Sequence, residues 1–242
     1  MMHGIPSGIW ISLAMTLVLA TPATAKELTA SIANMPGYAE SVDKGVLVDL
    51  VKAIEKESGV TIKREVVPFA RSMDNVINRR ADFHLPLIMV PNADQSKLNY
   101  DHSTETIFHV NFIMYSNKNK PLDSAKLAGY KLETDRAHTQ YFPFPIEATS
   151  NLESSLKKVD AGRIDGFIFA DFASDPLVKK NALKNIHRAL YKVFDVKIIL
   201  PKGEHGGDLD KLLSSAIQAL RKNGMYDKIM GPIDTPYVDW QP

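Results

Sequence analysis

The stretch KGVLVDLVKAIEKESGVTIKREVV, residues 44–67, decides the fold class, because a helical pattern in it is followed directly by a strand pattern. Four of its apolar residues recur at helical spacing: Leu47, Leu50, Val51 and Ile54. Residues 61–67 then have the character of a strand, which Pro68 ends. Upstream, residues 28–34 alternate at period two, which predicts an earlier strand. This alternation of strands and helices favours a parallel sheet with right-handed crossovers.

The same alternation continues along the rest of the chain. Further strands are predicted over residues 82–88, 110–116, 130–133, 164–170 and 193–200. Further helices are predicted over residues 73–80, 151–162, 172–183 and 209–220. Ser150 and Glu153 have the spacing of a capping box at the start of the second of these helices. The order predicts an α/β protein built from mostly parallel sheets flanked by helices.

The chain is expected to form two lobes. Residues 26–116 would form the first part of lobe 1, and the polar, turn-prone run that starts at residue 117 would open lobe 2, residues 117–192. Residues 193–242 would supply a return strand and C-terminal helices, mainly to lobe 1. Because the chain then crosses between the lobes twice, we expect a hinge of two crossings with a cleft between the lobes.

Residues 1–25 are predicted to be a cleavable signal peptide. An apolar run over residues 9–20 is followed by Ala23, Thr24 and Ala25, the small-x-small pattern of a secretory cleavage site. The run is shorter than the roughly 20 apolar residues that a membrane helix needs. The sequence contains no cysteine that could carry a lipid anchor, so we expect a freely diffusing protein in the periplasm of a Gram-negative bacterium.

The composition argues against several classes of partner and site. The 29 basic and 28 acidic residues form no long block of one sign, so we expect neither a nucleic-acid nor a membrane partner. Without cysteine there is no disulfide and no thiolate metal site. His102 and His109 are seven residues apart without the carboxylate of a zinc motif, so no metal is expected. No nucleophile elbow, Walker loop or dinucleotide fingerprint occurs, and neither a cofactor nor catalysis is expected.

The order of segments resembles the family 3 extracellular solute-binding proteins, the periplasmic components of amino-acid ABC importers. The resemblance rests on KGVLVDLVKAIEKESGV (44–60), PFARSMDNVINRRADF (68–83), VDAGRIDGFIFAD (159–171) and LSSAIQALRKNGMYDKIMG (213–231). It implies a two-lobed periplasmic-binding-protein fold that closes over a ligand. Two departures make the ligand site atypical: MVPNADQSK (89–97) lacks the Arg that grips a ligand carboxylate in the family, and Ala137, His138 and Thr139 replace the family's small anion nest.

Ligands in open α/β sheets bind beyond the carboxyl ends of the strands. On this basis and on the resemblance, eight residues are predicted to contact the ligand: Tyr38, Phe69, Arg71, Pro86, Leu87, His138, Thr139 and Asp171. Arg71 would hold an anion at the start of a helix, or else pair with Glu65 or Asp74 on the surface. By the resemblance, Asp171 would hold the ligand ammonium; alternatively it is a helix N-cap, unless Ser174 or Asp175 takes that role.

Three functions stay open from the sequence. The first is capture of a small polar or zwitterionic solute by hinge closure, with presentation to an ABC permease or a membrane sensor. The second is an extracytoplasmic sensory or accessory protein with a degenerate cleft. The third, a dehydratase-type enzyme on the same fold, would use Asp171 with His138 as its acid–base pair. A monomer is expected because a cleft between two moving lobes needs no symmetric partner.

Overall fold

A computed structural model describes residue 1 and residues 27–90 and 93–242, so the predicted signal peptide lies, except for its first residue, outside the described residues. The strands are β1 (Glu27–Ala33), β2 (Thr61–Val67), β3 (Phe83–Ile88), β4 (Tyr100–Asn117), β5 (Leu132–Asp135), β6 (Glu147–Thr149), β7 (Gly166–Ala170) and β8 (Ile186–Pro201). The α-helices are α1 (Val46–Ser58), α2 (Phe69–Ile77), α3 (Leu152–Asp160), α4 (Asp171–Lys180), α5 (Asp208–Lys222) and α6 (Met225–Met230). Strands and helices alternate as the sequence predicts.

The described strands form a sheet in the order β2-β1-β3-β8-β4-β7-β5-β6. Strand β1 pairs in parallel with β2 and β3, and β5 pairs in parallel with β6 and β7. Between these two groups, β4 and β8 run antiparallel along almost their whole length. Each group with its helices is one lobe, and β4 and β8 are the two crossings, which confirms the α/β two-lobed fold. We keep the residue boundaries of the lobes, 26–116, 117–192 and 193–242, as a proposal.

Helix α1, which the stretch over residues 44–67 predicts, stabilises the first lobe. Helix α1 buries Leu47, Val48, Leu50, Val51 and Ile54 in the core. It packs against β1 and β2 on one side and against α5 and α6 on the other. Since the apolar stripe of α1 meets both a sheet and the C-terminal helices, the early and late parts of the chain share one core.

Several local predictions are wrong. The capping box fails because Asn151, not Ser150, caps α3 by accepting from Ser154 N. Helix α4 begins at Asp171, so Ser174 and Asp175 lie inside it and cap nothing. Strand β4 starts at residue 100 rather than 110, and β8 at residue 186 rather than 193. The short strand β6 is not predicted.

Among the described residues, no helix combines the length and the apolar character that crossing a bilayer demands.

Gly45 allows the loop that carries Tyr38 to pack closely against the start of α1. Its φ is 133°, and a Cβ there would overlap the Tyr38 carbonyl oxygen and lie 2.6 Å from Ala39 Cα. We expect Gly45→Ala to lower the free energy of unfolding by about 3 kcal/mol or more, from backbone strain together with overlap. Gly59→Ala is the control, because Gly59 has φ 70° but open space around its Cα, and should cost about 1–2 kcal/mol from strain alone. Equal losses in urea unfolding would contradict the close approach.

Candidate functional site

The carboxyl ends of strands from both lobes meet beside the two crossings, and aromatic rings bridge the gap between them. Tyr38, which follows β1, is 8% exposed. Its ring lies 5.7 Å from that of Phe172, which follows β7, and 5.9 Å from that of Phe108 on β4. Phe172 itself is 50% exposed. Tyr38 and Phe172 therefore join the two lobes across the cleft, with one ring accessible to a ligand.

Asp171 lies next to this aromatic pair. Its Oδ2 accepts a hydrogen bond of 2.9 Å from Asn111 Nδ2, and its Oδ1 accepts one of 2.7 Å from the backbone N–H of Phe172. Among residues 27–90 and 93–242, no Lys, Arg or His nitrogen lies within 4.0 Å of this carboxylate. Asp171 is thus held in place by neutral donors alone.

Burial raises the pKa of the Asp171 carboxyl, and the charge of Asp175 adds to that rise. The hydrogen bonds from Asn111 and Phe172 and the charge of Arg188 act in the opposite direction. Burial, and then the charge of Asp171, raise the pKa of Tyr38 to about 12. The Tyr38 hydroxyl consequently stays protonated at neutral pH, while the ionised Asp171 carboxylate has no neutralising partner in the described part of the chain.

Phe69 and Arg71 lie in the first turn of α2. Phe69 is 42% exposed and meets the ring of His84 edge-on at 5.3 Å. Arg71 is exposed and forms neither an ion pair nor a side-chain hydrogen bond with any residue that the structure describes.

The surface partners expected for Arg71 are engaged elsewhere. Glu65 accepts from Ser31 Oγ at 2.6 Å and also from Asn75, while Asp74 pairs with Arg80. The alternative of a simple surface ion pair at Arg71 is therefore not formed.

Pro86 and Leu87 lie in β3, at the register break between His84 and Leu87. Pro86 is buried, and Leu87 packs against a small cluster that contains Val76 and Ile199. Pro86 is thus enclosed, whereas the side chain of Leu87 is only partly buried.

His138 and Thr139 belong to a short 3₁₀ turn, Arg136–Tyr141, that follows β5. His138 Nδ1 lies 2.8 Å from Asp135 Oδ1, and its ring packs edge-on against Tyr141 at 4.9 Å. Thr139 is half-buried, and its carbonyl accepts from Phe142 N at 3.4 Å. His138 bonds Asp135 while Asp171 bonds Asn111, so the two residues expected to form the acid–base pair of a dehydratase make no direct hydrogen bond with each other.

The two histidines considered for a metal lie apart. His102 is buried and its Nδ1 lies 2.8 Å from Gln95 Oε1, while His109 Nδ1 lies 3.0 Å from Asp234 Oδ1. Burial lowers the pKa of His102 to about 4, so that this ring is neutral at neutral pH. Across the described ranges, no group of three or more His, Cys, Asp or Glu side chains has metal-binding geometry.

Two surface pockets lie away from the cleft. One of about 380 Å³ is lined by polar residues at the far end of lobe 2, including Asn117 and Asp165. The other, of about 340 Å³, lies beside Leu28 and Arg79 in lobe 1. The unpaired Asp171 carboxylate and the strand ends beside it therefore do not coincide with these pockets.

Two residues of the site were not predicted from the sequence. Phe172 follows Asp171 directly, and a bulky apolar residue in an exposed first turn is a signal that could have been used. Asn111 is 3% exposed and is a polar residue inside the apolar run Val110–Ser116. A buried amide in such a run indicates a specific partner, because unpaired amides are costly to bury.

Solved structures show the same fold at low sequence identity. The GluR0 ligand-binding core from Nostoc punctiforme, in complex with L-glutamate, is 15% identical, with a TM-score of 0.61, and the match covers 86% of this chain and 100% of that one. A histidine kinase sensor domain with similarity to periplasmic binding proteins is 17% identical, with a TM-score of 0.59 over 86% and 95%. The arginine-, lysine-, histidine-binding protein ArtJ from Geobacillus stearothermophilus is 17% identical, with a TM-score of 0.57 over 86% and 94%.

No curated relative matches the sequence. The family model of bacterial extracellular solute-binding proteins, family 3, matches residues 37–231, from the loop before α1 to the end of α6. Since that match spans most of the chain and both lobes, the protein belongs to family 3 of the bacterial extracellular solute-binding proteins.

Proposed function

We propose that this protein captures a small polar or zwitterionic solute, an amino acid or a related amine, outside the cytoplasmic membrane and presents it to an ABC-type importer. The observation that carries the proposal is the half-buried Asp171 carboxylate, which has no cationic partner among the described residues. A ligand ammonium would supply the missing charge and at the same time lower the raised pKa of Asp171.

The surroundings of Asp171 suit the same ligand. Tyr38 and Phe172 flank the carboxylate with ring surfaces, and aromatic faces attract cations by about 0.5–2 kcal/mol. The protonated Tyr38 hydroxyl is a hydrogen-bond donor or acceptor for a polar group. On the other lobe, Arg71 is free among the described residues to hold a carboxylate with its two-point fork. Phe69, Pro86, Leu87, His138 and Thr139 remain proposed contacts.

Binding would shift an equilibrium between open and closed lobes. Residues on opposite sides of the cleft, Tyr38 and Phe172, touch in this structure, so entry of a solute requires these rings to part. The flexible elements are the crossing strands β4 and β8, whose pairing is interrupted by register breaks. The closed form is what a permease, or a membrane sensor in its place, would recognise.

A sensory or accessory role with a degenerate cleft is the second candidate. It is favoured by the contact between Tyr38 and Phe172 across the cleft and by the location of both pockets elsewhere. The two candidates differ in one respect that is easily measured: only solute capture predicts a ligand that binds at Asp171. The proposal includes a monomer in the periplasm without cofactor, metal or nucleic acid.

Loss of the Asp171 charge should weaken capture strongly without unfolding the protein. In a thermal-shift screen of amino acids, amines and organic acids, a ligand at 100 times its dissociation constant should stabilise the wild type by about 2.7 kcal/mol. Asp171→Asn should weaken binding about 30-fold or more, because a buried charge pair is lost. Its unfolding free energy should stay within about 1 kcal/mol of the wild type, since a desolvated charge is removed together with a hydrogen bond.

Asp165→Asn is the matched control for that substitution. Asp165 precedes β7, whereas Asp171 follows it, and Asp165 pairs with Lys120 on the surface. The control should bind normally. A well-folded protein that is stabilised by no compound would favour the sensory or accessory role instead.

Arg71 should distinguish ligands that carry a carboxylate from those that do not. We expect Arg71→Ala to weaken a zwitterion such as L-arginine about tenfold or more, and to leave agmatine, which lacks the carboxylate, unaffected. Arg80→Ala is the control, because Arg80 is also exposed but pairs with Asp74. Calorimetric titration of both compounds measures the effect, and equal weakening by the two arginine variants would exclude Arg71 from the site.

Capture of a cation should weaken on acidification. Because the pKa of Asp171 is raised above its ordinary value of 3.8, the carboxylate gains its proton at a higher pH than an exposed aspartate does. In the ligand-free protein, the protonated form favours folding, and this contribution is lost as the pH rises through the raised pKa. Ligand-induced stabilisation should therefore grow as the pH rises through the same interval, and Asp171→Asn should abolish that dependence. A pH-independent affinity for an amine would contradict a charge pair with Asp171.

A further inference from the structure

Residues 234–242 leave α6 in the first lobe and run across one face of the crossing strands to the second lobe. We call these residues the strap. At its start, the Asp234 carboxylate accepts from the backbone N–H of His109 at 2.9 Å and lies 3.0 Å from the His109 ring nitrogen Nδ1. The Tyr226 hydroxyl of α6 donates to the same carboxylate at 2.5 Å. The strap is thereby fixed to the first lobe and to β4.

Asn111, two residues further along β4, joins the strap to the cleft. Its Nδ2 donates to Asp171 Oδ2 at 2.9 Å and to the carbonyl oxygen of Thr235 at 3.0 Å. A side-chain amide nitrogen has two hydrogens, so both are used. The orientation of Asn111, and with it the position of the Asp171 carboxylate, depends on where the strap places the Thr235 carbonyl.

The far end of the strap is anchored to Arg188 of β8. Arg188 is 1% exposed and forms a two-point ion pair with Asp175, at 2.8 and 2.7 Å. Its Nη1 donates to the carbonyl oxygen of Trp240 at 2.7 Å, and the guanidinium lies 4.3 Å from the centre of the Trp240 indole ring. The Gln241 amide makes two further hydrogen bonds with the backbone of Arg188, at 2.9 and 2.8 Å.

The contacts between the strap and Arg188 satisfy buried polar groups of the ion pair. A buried guanidinium needs acceptors for all of its N–H groups. Asp175 accepts from Nε and Nη2, and the strap supplies a carbonyl oxygen for Nη1. The Trp240 indole N–H also donates to Asp175 Oδ2 at 3.1 Å, so the strap completes both halves of the ion pair. Removing the strap would leave buried donors unpaired, which is destabilising.

We propose that Asn111 is a positioning residue for the Asp171 carboxylate, and that the strap, held by Arg188 in the second lobe, keeps Asn111 in place. The proposal rests on the proposed function in giving Asp171 a ligand, but the link from the strap through Asn111 to Asp171 exists without one. It makes the geometry of the binding carboxylate depend on a segment that touches both lobes.

The pKa of Asp171 is sensitive to the link that runs from the strap through Asn111. The groups that face the Asp171 carboxyl are Tyr38 from the first lobe, Asn111 from β4, Asp175 from α4 and Arg188 from β8. The hydrogen bond from Asn111 lowers the pKa of Asp171 against the effect of burial. Loss of that donor should therefore raise the pKa further, whereas a general loss of stability would not.

The first test titrates Asp171 in the ligand-free full chain, with protons as the only probe. Carboxyl ¹³C resonances of labelled aspartates are followed by NMR, and Asp171→Asn identifies the signal. Asn111→Leu should raise the pKa of Asp171, and Asn111→Ala gives the same comparison if leucine disturbs packing. Asn117→Leu is the matched control, because Asn117 lies in the same strand but donates to the carbonyls of Val159 and Asp160, at the end of α3, at 3.3 and 3.0 Å. An unchanged pKa in both Asn111 variants would overturn the positioning role.

The second test asks whether the strap holds Asn111. The Asn111→Leu shift is measured again in the full chain with a double substitution, Trp240→Ala with Gln241→Ala. In such a double-mutant cycle the effect of strap loss itself is subtracted, so that only the coupling between the strap and Asn111 remains. The shift should be smaller once the strap is released, and an equal shift in both backgrounds would overturn the role of the strap. A protein that shows the coupling but binds no solute in the thermal-shift screen would keep this inference and lose the proposed function.

Discussion

The antiparallel pairing of β4 with β8 is the interaction on which the rest of the structure depends. It extends from Tyr100 opposite Pro201 to Asn117 opposite Ile186, so that each strand begins in one lobe and ends in the other. Register breaks between His102 and Phe108 and after Phe112 interrupt an otherwise continuous ladder. Such irregularities bend and twist a strand locally, which gives two lobes that share one sheet the freedom to move against each other.

The register of this ladder also determines where polar groups meet. His109, Asn111 and Tyr115 have the same parity along β4 and lie on one face, where each contacts a different aspartate: Asp234, Asp171 and Asp175. A slip of one residue would turn all three side chains to the opposite face. The same register that buries the apolar residues of β4 therefore places the cleft carboxylate, the strap and the anchor on a common surface.

The sequence was sufficient for features that depend on local pattern. Strand β2 and the stripe of α1 follow from periodicity, and so does the position of Asp171 directly after a buried strand. The first half of β4 was missed because residues 101–105 are polar and look like a loop. Their polar groups form hydrogen bonds with residues that are distant in the sequence; for example, Asp210 of α5 accepts from Thr104. Asn111 and the strap were missed for the same reason, since Asn111 bonds residues 60 and 124 positions away.

Two carboxylates one turn apart on α4 show how a structural group differs from the group proposed to bind the ligand. Asp175 is neutralised by a buried arginine and also receives hydrogen bonds from Tyr115 and Trp240. From the residues that the structure describes, Asp171 receives only an amide and a backbone N–H, although its burial raises its pKa and so opposes folding in the ionised form. Stability alone would favour a cation beside both. A desolvated carboxylate that is positioned by neutral donors, next to accessible aromatic rings, is instead the arrangement that a cationic ligand completes.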